Sequence, residues 1–162
     1  MAIDIINKQR LLKINRRTFS ELARATQQSL AQIDHLHRAD AQLSIVFVRD
    51  PKMRQLNRLY RGKDYATDVL SFQSGGEPHA AGDFVDENYL GDIVISTDTA
   101  LRQAQAAGLS VEREIQELII HGILHLNGYD HETDNGEMHR LELQLRKRLL
   151  KKSGVWSLES GV

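Results

Sequence analysis

At 162 residues, 41% hydrophobic and 27% charged, the chain suits a single domain spanning 1–162 with a substantial buried core. The absence of cysteine excludes a disulfide framework and any thiolate site, so a metal could be held only by histidine and carboxylate. A formal net charge of -1 says nothing by itself about nucleic acid. The first twenty residues carry no apolar run of signal-peptide type, and no stretch approaches the roughly 20 apolar residues of a membrane span. A cytoplasmic protein is the expectation.

Residues 2–6 alternate and predict a short strand. From Arg17 to His37, Phe19, Leu22, Ala23, Thr26, Leu30 and Ile33 recur at helical spacing. The apolar, β-branched run Leu43 to Val48 predicts a buried strand. Asp50-Pro51 predicts the start of a helix reaching about Arg61, with Asp50 as its cap. Val69 to Phe72 is a further strand, followed by a long loop from Gln73 to Asn88 that holds three glycines and a proline. Tyr89 to Ile95 is a fourth strand. Ser96 is placed to cap a helix ending before Gly108. Val111 to Asn127 is the next helix, with Gly128 suited to the left-handed position beyond its end. A last amphipathic helix is predicted from Asn135 to Lys152. The expected fold is one α+β domain of α/β-like character, with a small mixed sheet of about four strands and about five helices. Strand order cannot be read from this pattern.

Charge is unevenly distributed. Lys8 to Arg24 is basic, and so is the stretch containing Arg49, Lys52, Arg54, Arg58, Arg61 and Lys63. The acids concentrate between Glu77 and Asp98. Such basic surfaces suit phosphate binding, and solvated helix faces look the same.

The most informative stretch is Leu118 to Leu126, where His121 and His125 interrupt an otherwise apolar helix. Four residues apart, they project from one face about a turn from each other and can reach one ion. Gly128 then ends the helix, and the chain returns a third imidazole, His131. Three protein ligands leave a fourth position for water, as in catalytic zinc sites. The ligand and turn spacing matches that of the HExxHxxGxxH metalloproteases, yet Gly122 stands where those enzymes carry their glutamate base. A metallopeptidase therefore lacks its base here. His35, His37, His79 and His139 have no comparable context and read as surface residues, and Met138 reads as packing.

The segment His121-Gly122-Ile123-Leu124-His125-Leu126-Asn127-Gly128-Tyr129-Asp130-His131 resembles the HGxLHLxGYDH motif of the YbeY family, bacterial metal-dependent endoribonucleases of ribosomal RNA maturation. Residues 57–64 with 67–72 are similar to that family's central block, and residues 90–95 to its GDI strand. The sequence departs from the family pattern at Ala66, where proline is usual, and at Asn127, where leucine is common. Neither position is a ligand. The resemblance implies one Zn²⁺ held by His121, His125 and His131, an essential Arg61 near it, single-stranded ribosomal RNA as substrate, and the ribosome or its small-subunit assembly factors as possible partners. Asp130 and Asp92 are the candidates for orienting a ligand imidazole through its second nitrogen. Two other readings are a peptidase-like hydrolase and a non-catalytic ribosome-assembly factor with a structural metal.

Overall fold

The computed structural model of the chain describes residues 2–75, 88–130 and 132–150. Its elements are β1 (Ile3–Asn7), α1 (Arg16–Ile33), β2 (Gln42–Val48), α2 (Asp50–Arg61), β3 (Val69–Gln73), β4 (Tyr89–Ser96), α3 (Thr97–Ala107), α4 (Val111–Leu126) and α5 (Glu137–Leu149). The sheet order is β1-β2-β4-β3. β1 and β4 both run parallel to β2, whereas β3 runs antiparallel to β4 and forms one edge. The expected α+β domain with a mixed four-stranded sheet is therefore present.

Pleating divides the sheet's side chains between two layers. On one face Leu43, Ile45 and Phe47 of β2 and Ile93 and Ile95 of β4 pack against Phe19 and Leu30 of α1, Ile119 and Ile123 of α4, and Met138 and Leu145 of α5. On the other face Val48, Val94 and Leu70 pack against Met53 of α2, with Leu56 and Phe72 at the margin. Burial on both faces is why β2 reads as a continuous apolar run. Helix α4 is the central one, contacting α1, α3, α5, β3 and β4, which explains its nearly all-round apolar sequence.

Several predicted ends move for identifiable reasons. Helix α1 begins earlier because the Asn15 side chain accepts the Thr18 amide at 3.1 Å, a true N-cap. Helix α5 begins at Glu137 because Asp134 accepts the amides of Gly136 and Met138 at 2.8 and 2.9 Å. Its expected end at Lys152 lies outside the described residues, as do positions 76–87 of the expected long loop. Ser96 does occupy the N-cap position of α3, and α2 does begin at Asp50-Pro51, but neither side chain caps its helix. Instead Ser96 and Thr99 donate their hydroxyls to the Asp50 carboxylate, which also takes Arg102 at 2.8 Å. Asp98 correspondingly accepts the Asp50 amide and both Nε and Nη2 of Arg49. The local capping potential is diverted into a cross-link between the N-termini of α2 and α3.

Two glycines fix the surroundings of the site. Gly128 ends α4 at φ +92°, the left-handed turn expected there. Gly91 in β4 sits at φ +140°, and a Cβ there would collide with the Phe72 carbonyl oxygen, so only glycine lets β3 lie this closely on β4.

Candidate metal centre and its cleft

His121 and His125 project from the last turns of α4, as their spacing requires. Their Nε2 atoms face each other at 3.1 Å, with the ring planes 70° apart. Two nitrogens on a tetrahedral ion with bonds of about 2.0–2.1 Å stand roughly 3.4 Å apart. The pair thus fits a shared ion with only a small opening of the rings. His131, the expected third ligand, lies outside the described residues, and among the described residues no group of three or more His, Cys, Asp or Glu is placed to hold a metal.

The rear nitrogen of His121 shows how the pair is aimed. Nδ1 lies 2.8 Å from Oε1 of Glu142, a buried carboxylate on α5. An ionised carboxylate accepts only, so Nδ1 carries the proton and Nε2 is left bare for an ion. Burial pushes the Glu142 carboxyl up, but its hydrogen bond from His121 and the charge and hydrogen bond of Arg146 outweigh this and hold it below the ordinary range. Arg146 donates to the same Oε1 and pairs with Glu117, each at 3.2 Å, so a cation compensates the carboxylate beside the imidazole. The two residues expected for this orienting role make other contacts among the described residues, and neither is the partner of His121 Nδ1. Asp92 accepts the Tyr89 hydroxyl, and Asp130 accepts the amide of Glu132 at 3.0 Å. Sequence reasoning missed Glu142 because its partner is 21 residues away. The available signal was an acid between Met138 and Leu145 on the buried side of an amphipathic helix.

The position without a glutamate base also has a structural explanation. Gly122 faces the sheet, and a Cβ there would lie 2.9 Å from Cγ2 of Ile93. There is no room for even a methyl group, so the position cannot serve a base aimed at the metal.

Beside the histidine pair lies a cleft of about 370 Å³ lined by Arg61, Val69, Leu70, Ser71, Gln73, His121 and His125. Its floor is fastened where edge strand meets helix. Gln73 donates to the His125 carbonyl at 2.8 Å, and Ser71 reaches the Gly122 carbonyl at 3.4 Å. Arg61, expected near the metal, does line this cleft. The other basic residues of its helix do not. A 12-residue helix separates its ends by about 16 Å at roughly 1.5 Å per residue. Arg49 at the far end pairs with Asp98 at 2.8 Å, while Arg54 holds Asp64 at 2.9 Å with Arg58 at 3.9 Å. The basic run of 49–63 is thus only in part a phosphate-facing surface.

Of the remaining histidines, His35 and His139 are exposed, whereas His37 is half-buried with a ring nitrogen 3.0 Å from the Tyr129 hydroxyl. His79 lies outside the described residues. Met138 is 1% exposed and belongs to the core, as expected. Among the described residues no helix is long and apolar enough to cross a membrane.

Comparison with known proteins agrees with this geometry. The model of the family described as Endoribonuclease YbeY matches residues 4–152. The Endoribonuclease YbeY of Pelotomaculum thermopropionicum is 41% identical, covering 92% of this chain and 97% of its own. That of Geobacter sulfurreducens is 37% identical, covering 96% and 99%. The solution structure of TM1509 from Thermotoga maritima superposes with a TM-score of 0.57 at 25% identity, covering 98% of this chain and 93% of that one. With a family match along nearly its whole length, joined to a convergent histidine pair and an arginine-lined cleft, this chain belongs to the Endoribonuclease YbeY family.

Proposed function

We propose that this protein is a hydrolase cutting single-stranded ribosomal RNA during ribosome maturation, with one Zn²⁺ held by His121, His125 and His131. The observation that carries the reading is the convergence of two Nε2 atoms, that of His121 aimed by Glu142, at the wall of a cleft that also presents Arg61. When bound, such an ion supplies Lewis acidity to a phosphoryl oxygen and acidity to a water near neutral pH. The protein supplies the rest. Arg61 offers a forked cation to the phosphoryl oxygens as their negative charge grows. Glu142 keeps His121 in the one tautomer that presents Nε2. Gln73 and Ser71 hold the cleft wall against α4, so the arginine and the imidazoles keep their separation. The cleft has the capacity of a nucleotide or so beside a sheet edge, which favours a strand whose backbone is unpaired and accessible. Ribosomal assembly factors are the partners expected to present such a strand.

Incubating ribosomal RNA with wild-type protein and with His121→Ala, each with and without a chelator, tests the proposal. Cleavage should require both the histidine and the metal, and zinc content should fall with the histidine. Cleavage by a metal-free His121→Ala protein would refute the assignment.

A further inference from the structure

Arg61 and the histidine pair belong to opposite faces of the sheet. Helix α2 packs on the face that carries Leu70 and Phe72, whereas α4 packs on the face toward which Val69 turns. To line the cleft, the Arg61 side chain must wrap around the edge strand β3. An exposed arginine left to itself samples many rotamers, so something has to hold it there.

The structure shows what does. The Arg61 guanidinium carbon lies 5.0 Å from the centroid of the Phe72 ring, a cation–π contact. Its Nη2 donates to the Ser71 carbonyl at 2.9 Å. That carbonyl is at the sheet edge, where among the described residues one side of β3 has no strand neighbour. The ring is itself braced edge-on by Tyr60, at 5.2 Å between centroids. The close approach of β3 to Gly91 fixes the backbone of Phe72. Phe72 is therefore a rigid rail beneath the guanidinium at the point where it rounds the strand.

We propose that Phe72 is a positioning residue for the reaction, holding the Arg61 guanidinium at the cleft without touching the RNA. The inference rests on the role given to Arg61 above. Leucine at 72 keeps an apolar side chain but removes the π face beneath the guanidinium, leaving it hydrogen bonds such as those to the Ser71 and Tyr60 carbonyls. A preorganised charge loses effect steeply with misplacement. Because the contact orders a group that acts on the transition state, the loss belongs in kcat rather than KM.

The test is steady-state cleavage of a single-stranded RNA oligonucleotide by zinc-loaded protein. Phe72→Leu should lower kcat by roughly 3- to 10-fold with KM within about twofold of wild type. Phe72→Tyr, which keeps the ring, should retain kcat within about twofold. The decisive comparison is a double-mutant cycle with Arg61→Gln, which removes the cation and with it the interaction with the ring. In that background Phe72→Leu should have little further effect. An equal fold-loss in both backgrounds, or full kcat in Phe72→Leu where Arg61→Ala has lost it, overturns the proposal. Normal turnover by Arg61→Ala overturns the underlying reading instead. Should leucine leave too little folded protein, Phe72→Met makes the same comparison with an unbranched side chain.

Discussion

Glu142→Gln separates the orienting role of this carboxylate from its packing. The residue is 7% exposed, and its Oε1 serves both His121 at 2.8 Å and Arg146 at 3.2 Å. Glutamine keeps the shape and an acceptor oxygen for Nδ1, so the tautomer can persist. The negative charge that makes the imidazole a better donor to a metal is lost. Changes of this kind in the outer shell of metal sites lower affinity by about 10- to 100-fold, equivalent to roughly 1.4–2.7 kcal/mol. Fold stability should suffer less, about 1 kcal/mol, because Arg146 retains Glu117 at 3.2 Å. Glu142→Ala should add a further loss of about 1 kcal/mol by removing the acceptor of the half-buried His121 Nδ1–H. The assay is competition with a chromophoric zinc chelator, beside thermal unfolding of the metal-free proteins. Zinc affinity in Glu142→Gln within twofold of wild type would refute the reasoning.

Gly91→Ala should destabilise the protein by about 3 kcal/mol or more, since the φ of +140° and the approach of the Phe72 carbonyl both oppose a Cβ. Calorimetry should show a midpoint lowered by roughly 6–12 °C, and an unchanged midpoint would contradict the packing of β3 on β4. Asp98 should give the cross-link between α2 and α3 a pH signature. The hydrogen bond from Arg49 outweighs burial and lowers its pKa in the folded state. A carboxyl depressed on folding adds stability above its unfolded pKa of about 3.9 and loses it as pH falls through the folded value. Urea unfolding should thus find Asp98→Asn less stable than wild type by about 1–2 kcal/mol at pH 7, with the gap closing below about pH 4. A gap independent of pH would show that the charge is not what stabilises the link.

Helix α4 with its histidine pair was legible in the sequence because its signals are local. Two imidazoles four apart in an apolar run, followed by a glycine that indeed turns left-handed, need no tertiary information. Strand β2 was legible for the same reason, since burial on both faces leaves an unbroken apolar run. What escaped was long-range. Glu142 meets His121 only because α5 folds back on α4, and an acid on the buried side of α5 was the sole trace of it. Asp50 and Ser96 carry genuine capping chemistry, but a partner across the fold outcompeted the neighbouring amides. Gly122 was read correctly as the absence of a base. That it is a packing requirement became visible only when Ile93 was found against it. The basic stretch of 49–63 misled for a related reason: acids at 64 and 98 pair with three of its arginines, and helix length carries Arg49 and Lys52 away from the cleft. Arg61 keeps its place by rounding an edge strand, which no sequence pattern encodes.

The central claim is that His121 and His125 share a metal required for cleavage, and zinc-edge X-ray absorption with metal counting on the purified active protein tests it most directly. About one ion per chain, bound by imidazole nitrogen at roughly 2.0–2.1 Å and lost together with RNA cleavage in His125→Ala, is the expected result. RNA cleavage by protein that holds no metal, or an ion retained with unchanged coordination in His125→Ala, would contradict it.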